Sequence, residues 1–118
     1  QYLGSTEIKV RILVGEKFPD AKIDVGYIQT GEKHFSWTDS KFRATDVVYF
    51  ENGISNFMAI IPWDRESLNT WIESFNKAYV IISPTRWKFY NNGNVIDISL
   101  HYQEKEELYS IHFLPIKP

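Results

Sequence analysis

The sequence predicts an α+β domain, an antiparallel sheet of about six to eight strands with one amphipathic helix packed on it. Three observations predict it. Several short segments alternate apolar and polar residues, Asn-Gly pairs stand at 52–53 and 92–93, and a single stretch at 64–78 repeats its apolar residues at helical spacing. A length of 118 residues fits a single domain spanning 1–118, long enough to bury a core without disulfides or metals.

Glu7 to Val14 predicts a first strand, because Ile8, Val10, Ile12 and Val14 alternate with Lys9 and Arg11 in the manner of a half-buried strand. Gly15 to Asp20 is a turn segment punctuated by Pro19. Lys22 to Gln29 alternates again, with Ile23, Val25 and Tyr27 on one face. Thr30-Gly31 then turns the chain into a strand at Lys33 to Trp37, in which Phe35 and Trp37 are expected to face Tyr27 and Val25. Thr38 to Thr45 is polar and expected to be irregular. Its neighbours His34, Ser36, Trp37 and Asp39 suit either a binding loop or, for Trp37, a ring folded back onto the sheet.

Val47 to Phe50 and Ile54 to Ile61 flank Asn52-Gly53, the strongest short hairpin signal, since both turn residues must take positive φ. The second arm is apolar on both faces and suits a central strand. The helix follows. Asp64 is placed to cap its free N–H groups, Trp63 and Leu68 have the spacing of a hydrophobic staple, and Leu68, Trp71, Ile72 and Phe75 form the apolar stripe. Tyr79 to Ile82 is a short apolar run ended by Ser83-Pro84. Three arms close the chain: Arg86 to Tyr90, Val95 to Tyr102 and Leu108 to Leu114.

The register of this last meander follows from its turns. With Asn92-Gly93 central in the first, Phe89 faces Ile96 and Trp87 faces Ile98. With Lys105-Glu106 central in the second, Leu100 faces Ile111, Tyr102 faces Tyr109 and Ile98 faces Phe113. Both turns agree on one apolar face, which a one-residue slip would destroy. Alternation sends Arg86, Lys88, Tyr90, Asp97, Ser99, His101, Ser110 and His112 to the opposite face. Lys88 then sits across from Asp97, Ser99 from His112 and His101 from Ser110, with the two histidines diagonal neighbours.

Composition excludes several functions. The formal net charge of −2 offers no cationic surplus for general nucleic-acid binding. The absence of cysteine removes disulfides, thiolate zinc sites and cysteine nucleophiles. No apolar run approaches the roughly 18 residues of a membrane span, and no signal peptide is legible. The expectation is a soluble domain, cytoplasmic or, since the sequence opens at Gln1 without a Met, exported with a removed N-terminal segment. No dinucleotide, Walker, H-E-x-x-H, EF-hand or nucleophile-elbow motif occurs. No catalytic residue, cofactor or metal is therefore assigned. Aromatic residues make up 16% of the chain, which serves a strand-rich core and a binding surface equally well.

The polar face is the one place where residues capable of forming a site concentrate. The plain reading is the wet side of a sheet. A metal site would use Asp97, His101 and His112. An anion site would use Arg86, Lys88 and the histidines, with Asp97 opposing it. A Ser99–His112 pair near Asp97 has the residue types of a catalytic triad, but a flat strand face offers no oxyanion hole. The expectation is a small non-enzymatic interaction domain that binds a protein partner, of the inhibitor, immunity or accessory kind. The alternative is a small-ligand or metal-binding module, or a small hydrolase, using the Asp97, His101 and His112 face.

Overall fold

The structure, a computed structural model, describes residues 2–91 and 93–116. Among these residues the chain forms two helices and eight strands in the order α1 (Glu7–Lys17), β1 (Asp24–Tyr27), β2 (Lys33–Asp39), β3 (Ala44–Glu51), β4 (Ile54–Pro62), α2 (Arg65–Ala78), β5 (Val80–Ser83), β6 (Arg86–Asn91), β7 (Asn94–Gln103) and β8 (Leu108–Ile116). All eight strands join one antiparallel sheet, ordered β1-β2-β3-β4-β8-β7-β6-β5. Each helix leads into a four-stranded meander, and the two meanders meet along their last strands, β4 and β8. The architecture is α+β and mostly antiparallel sheet, as the alternation predicts, but it has two helices rather than one.

The additional helix replaces the predicted first strand. Thr6 caps α1 by accepting the Lys9 N–H, Glu7 lies in its first turn and Lys17 in its last, both favourable against the helix dipole. Val10 and Val14, one turn apart, are buried, whereas Ile8 is 72% and Ile12 48% exposed. The alternation is therefore coincidental. Half of its apolar residues face water, and the pair that matters has helical spacing. α2 follows expectation more closely. Asp64 accepts the Ser67 N–H at 2.8 Å and also pairs with Arg43. Leu68 and Phe75 are buried, and Trp71 and Ile72 pack partly against the core. Trp63 is half exposed, and its indole N–H donates to Thr45 Oγ1 at 3.1 Å.

Both helices cover the same face of the sheet, since Val10, Val14, Leu68 and Phe75 belong to one core cluster with the inward strand residues. That face is organised by a transverse row in which each residue lies opposite the next: Val25, Phe35, Val48, Met58, Phe113, Ile98, Trp87 and Ile81. The six inner members are buried, and Val25 and Ile81, on the edge strands, are exposed.

Every predicted pairing of the last meander is present: Phe89 with Ile96, Trp87 with Ile98, Leu100 with Ile111, Tyr102 with Tyr109, and Ile98 with Phe113. Of the first turn pair, Gly93 takes a positive φ of 81°, and Asn92 lies outside the described residues. In the N-terminal half the hairpin at 52–53 forms with both residues at positive φ. The β1–β2 pairing is offset from expectation, with Phe35 opposite Val25 and Lys33 opposite Tyr27. Slippage by two residues preserves the face, which is why alternation alone could not set it. The segment expected to be irregular is half strand: β2 runs on to Asp39, β3 starts at Ala44, and only residues 40–43 form a turn. Arg43, at φ 53°, lies in the turn between them. Trp37 is buried in the core against Tyr2, ring centroids 5.3 Å apart.

Candidate functional site

On the sheet face away from the helices, five rings run side by side across five strands. His34 (β2) lies 5.4 Å from Tyr49 (β3), Tyr49 5.5 Å from Phe57 (β4), Phe57 5.1 Å from His112 (β8), and His112 4.1 Å from His101 (β7), centroid to centroid. The last pair is stacked at 25°. The row depends on a register shift between Tyr49 and Phe50. A plain Asn-Gly hairpin pairs Tyr49 with Asn56. The bulge slides the register by one, so that Tyr49 meets Phe57.

The row is seated at its β1 end by a glycine. Gly26 lies opposite His34, and a Cβ built there would come within 2.3 Å of the imidazole. Gly26→Ala must therefore push His34 off its seat. The expected cost is about 1–3 kcal/mol, read by thermal melting, together with a shifted His34 ring signal in NMR. An unmoved ring and an unchanged melting temperature would show that the seat is not needed.

The eight residues predicted for this face take the predicted positions: Lys88 opposite Asp97, Ser99 opposite His112, and His101 opposite Ser110. The chemistry between them differs from the simplest reading. Asp97 pairs with Arg86, its diagonal neighbour, at 2.8 Å. Ser99 Oγ lies 2.8 Å from His101 Nε2, and Ser110 Oγ 2.9 Å from His112 Nε2, so each serine engages the histidine two residues on along its own strand. The pairing is Ser99 with His101, not Ser99 with His112. The face is also less wet than alternation implies. Ser110 is 2% exposed and His112 is half-buried, whereas Tyr90 and His101 stand out in solvent.

Burial, and then the neighbouring His101, lower the His112 pKa below the usual imidazole value. The folded protein therefore resists protonating this residue. Its contribution to stability is present above the ordinary imidazole range and is lost as pH falls through and below it. Among the described residues no three His, Asp or Glu side chains gather as ligands for a metal ion.

A second site lies on the helix side. A narrow cavity of about 140 Å³ runs between the helices and the sheet, bounded by Tyr2, Lys17, Asp39 and Asp46 at one end and by Tyr79, Phe89 and Ile98 at the other. Asp39 and Asp46 are 2% and 3% exposed. Asp39 accepts the Phe42 N–H at 3.1 Å and so closes the β2–β3 turn. Asp46 Oδ1 has no hydrogen-bond partner, and neither do the indole N–H groups of Trp37 and Trp71. Burial first, then the charge of Asp39, push the Asp46 carboxyl up to about 7, against a smaller downward pull from Lys17 and from the Trp37 indole. That indole faces the carboxyl from the opposite position on β2 without closing a regular hydrogen bond. The same burial and carboxylates push the Tyr2 phenol up to about 12.

Neither Asp46 nor the Tyr49–Phe57 pair was singled out by sequence. Asp46 carried a signal, since it alternates with Ala44, Val48 and Phe50 on what must be an apolar face. The ring pair carried none, because the bulge leaves no mark in the residues around it. Comparison with known proteins gives no match at the level of protein family, curated sequence or solved structure.

Proposed function

We propose that this chain is a protein-binding domain of the inhibitor, immunity or accessory kind, and that it meets its partner with the sheet face opposite the helices. The observation that supports this reading is the row His34, Tyr49, Phe57, His112, His101. Both helices serve the other face, so no helix covers these rings. Aromatic side chains held in place by their neighbours offer large contact area at little further entropic cost.

The fixed charges in the rows beside the rings favour protein over nucleic acid. Asp24 and Asp97 offset Arg86 and Lys88, so the face lacks the cationic surplus that a phosphate backbone requires. His101, exposed at the β7 end of the row, extends the contact area, and Tyr90 is exposed further along the same face, opposite Val95.

The test is photo-crosslinking in the native host. A photoreactive residue at position 90 or 101 is expected to capture the same protein, and one at Glu73 on the exposed side of α2 is expected to capture none. Capture from position 73 or from the exposed Ile8 of α1, with none from 90 or 101, contradicts the reading. The 2.8 Å contact between Ser99 and His101 favours a second reading, a small hydrolase or ligand-binding module at Asp97, His101 and His112. Against catalysis, strand N–H groups engaged in the ladder cannot serve as oxyanion donors. A captured partner whose binding survives Ser99→Ala separates the two.

A further inference from the structure

We infer that the cavity between the helices and the sheet binds a small primary amine with an apolar body, its ammonium group paired with Asp46. The cavity has one polar and one apolar end. Asp46 and Trp71 both line the cavity. Asp46 Oδ1 is buried with the Trp37 indole nearby but no regular hydrogen bond, and the Trp71 indole N–H is likewise unpaired. A buried polar atom without a partner costs about 1–3 kcal/mol, and a donor that reaches Asp46 Oδ1 removes that cost. The opposite end is lined by Phe89 and Ile98, which suit a hydrocarbon.

Charge selects the class of ligand. Two carboxyl groups, Asp39 and Asp46, stand at the polar end, so an anionic head would be repelled in a medium that screens poorly. A purely apolar ligand would leave Asp46 unpartnered. An ammonium satisfies the carboxylate and is flanked by the rings of Tyr2 and Phe18, which also line the cavity. Lys17 is the one cation among the lining residues, and its Nζ lies over the Phe18 ring at 5.6 Å, on the exposed rim. It therefore competes weakly for the position the ligand would take. A volume of about 140 Å³ resembles that of an apolar cavity that holds benzene, which limits the ligand to about six to eight heavy atoms.

The groups facing Asp46 are Asp39, Lys17, Trp37 and Tyr2, and the Tyr2 phenol stays neutral at working pH. Asp46 is thus the group that ionises near neutrality, and a cation should bind more tightly as it does so.

The probes are n-hexylamine and benzylamine, with hexanoate as control, followed by calorimetry and by the indole N–H signals in NMR. The amines are expected to saturate the protein, about tenfold more tightly at pH 8 than at pH 6. The Trp71 indole signal should move, while those of Trp63 and Trp87, bonded to Thr45 and Asn76, stay in place. Asp46→Asn should weaken binding at least about tenfold, and Lys17→Met should strengthen it. Four results overturn the inference: no saturable binding at millimolar amine, equal binding of hexanoate, unchanged affinity in Asp46→Asn, or a Trp71 signal that does not move. Should Asp46→Asn fail to fold, the pH dependence and the Trp71 signal of the unsubstituted protein decide the matter.

Discussion

Phe75→Ala is expected to cost about 3–5 kcal/mol of unfolding free energy. Phe75 is buried on α2, with ring centroids 5.3 Å from Trp87, 5.4 Å from Tyr79, 5.8 Å from Phe113 and 5.9 Å from Trp71. It therefore ties α2 to β6 and β8 at once. Truncation leaves a void beside four rings that cannot all collapse into it. Against a typical total of about 5–15 kcal/mol, the variant should be marginal at 37 °C. Urea unfolding measures this, with an unchanged slope indicating that the native surface is retained. A loss below about 1 kcal/mol would mean that α2 does not rest on this cluster. Trp71, the more conspicuous residue in the sequence, is only half-buried and should cost less.

Asp46→Asn should remove most of a pH dependence that the native protein shows between pH 5 and pH 8. Burial and Asp39 raise the Asp46 carboxyl from 3.8 to about 7. Between those two values the folded state holds a proton that the unfolded state has lost. Stability from this group is thus complete below the unfolded value and falls as pH rises through about 7. From pH 5 to pH 8 the loss is about 2–3 kcal/mol. His112 acts in the opposite sense on the acid side, so the informative quantity is the difference between native and variant at each pH. The variant should gain at pH 8 relative to the native protein and gain little at pH 5. Parallel pH profiles for the two would show that Asp46 ionises normally in the folded state.

The sequence was most legible where turn chemistry and alternation agree. The β6–β7–β8 registers rest on two independent turns and one apolar face, and every pairing read from them is present. The placement of Arg86, Lys88, Tyr90, Asp97, Ser99, His101, Ser110 and His112 followed from those registers. α1 was misread because Ile8 to Val14 fits period two as well as it fits a helix that buries only Val10 and Val14. The correct signals were Thr6 before Glu7, and Glu7 four residues ahead of Arg11. Lys33 to Trp37 was found as a strand, but its partner was offset by two, a slip that leaves the face unchanged. The ring row stayed hidden because it depends on a bulge between Tyr49 and Phe50 and on a diagonal contact between β4 and β8, strands remote in the chain. The Arg86–Asp97 pair shows the limit of register alone. Lys88 is directly opposite Asp97, yet the longer, forked Arg86 side chain reaches it from the diagonal.

The most direct test of the proposed binding face is the affinity of the crosslinked partner for the native protein and for a Tyr90→Ala, His101→Ala double variant. Both side chains stand in solvent on the face away from the core, His101 at the β7 end of the ring row and Tyr90 further along the hairpin, opposite Val95. Arg86 is left intact so that the half-buried Asp97 keeps its ion pair. The expected result is an unfolding midpoint within about 2 °C of native and a dissociation constant raised at least about tenfold, the loss of a modest interface hot spot. An unchanged dissociation constant at unchanged stability would contradict the assignment and place the partner on another surface.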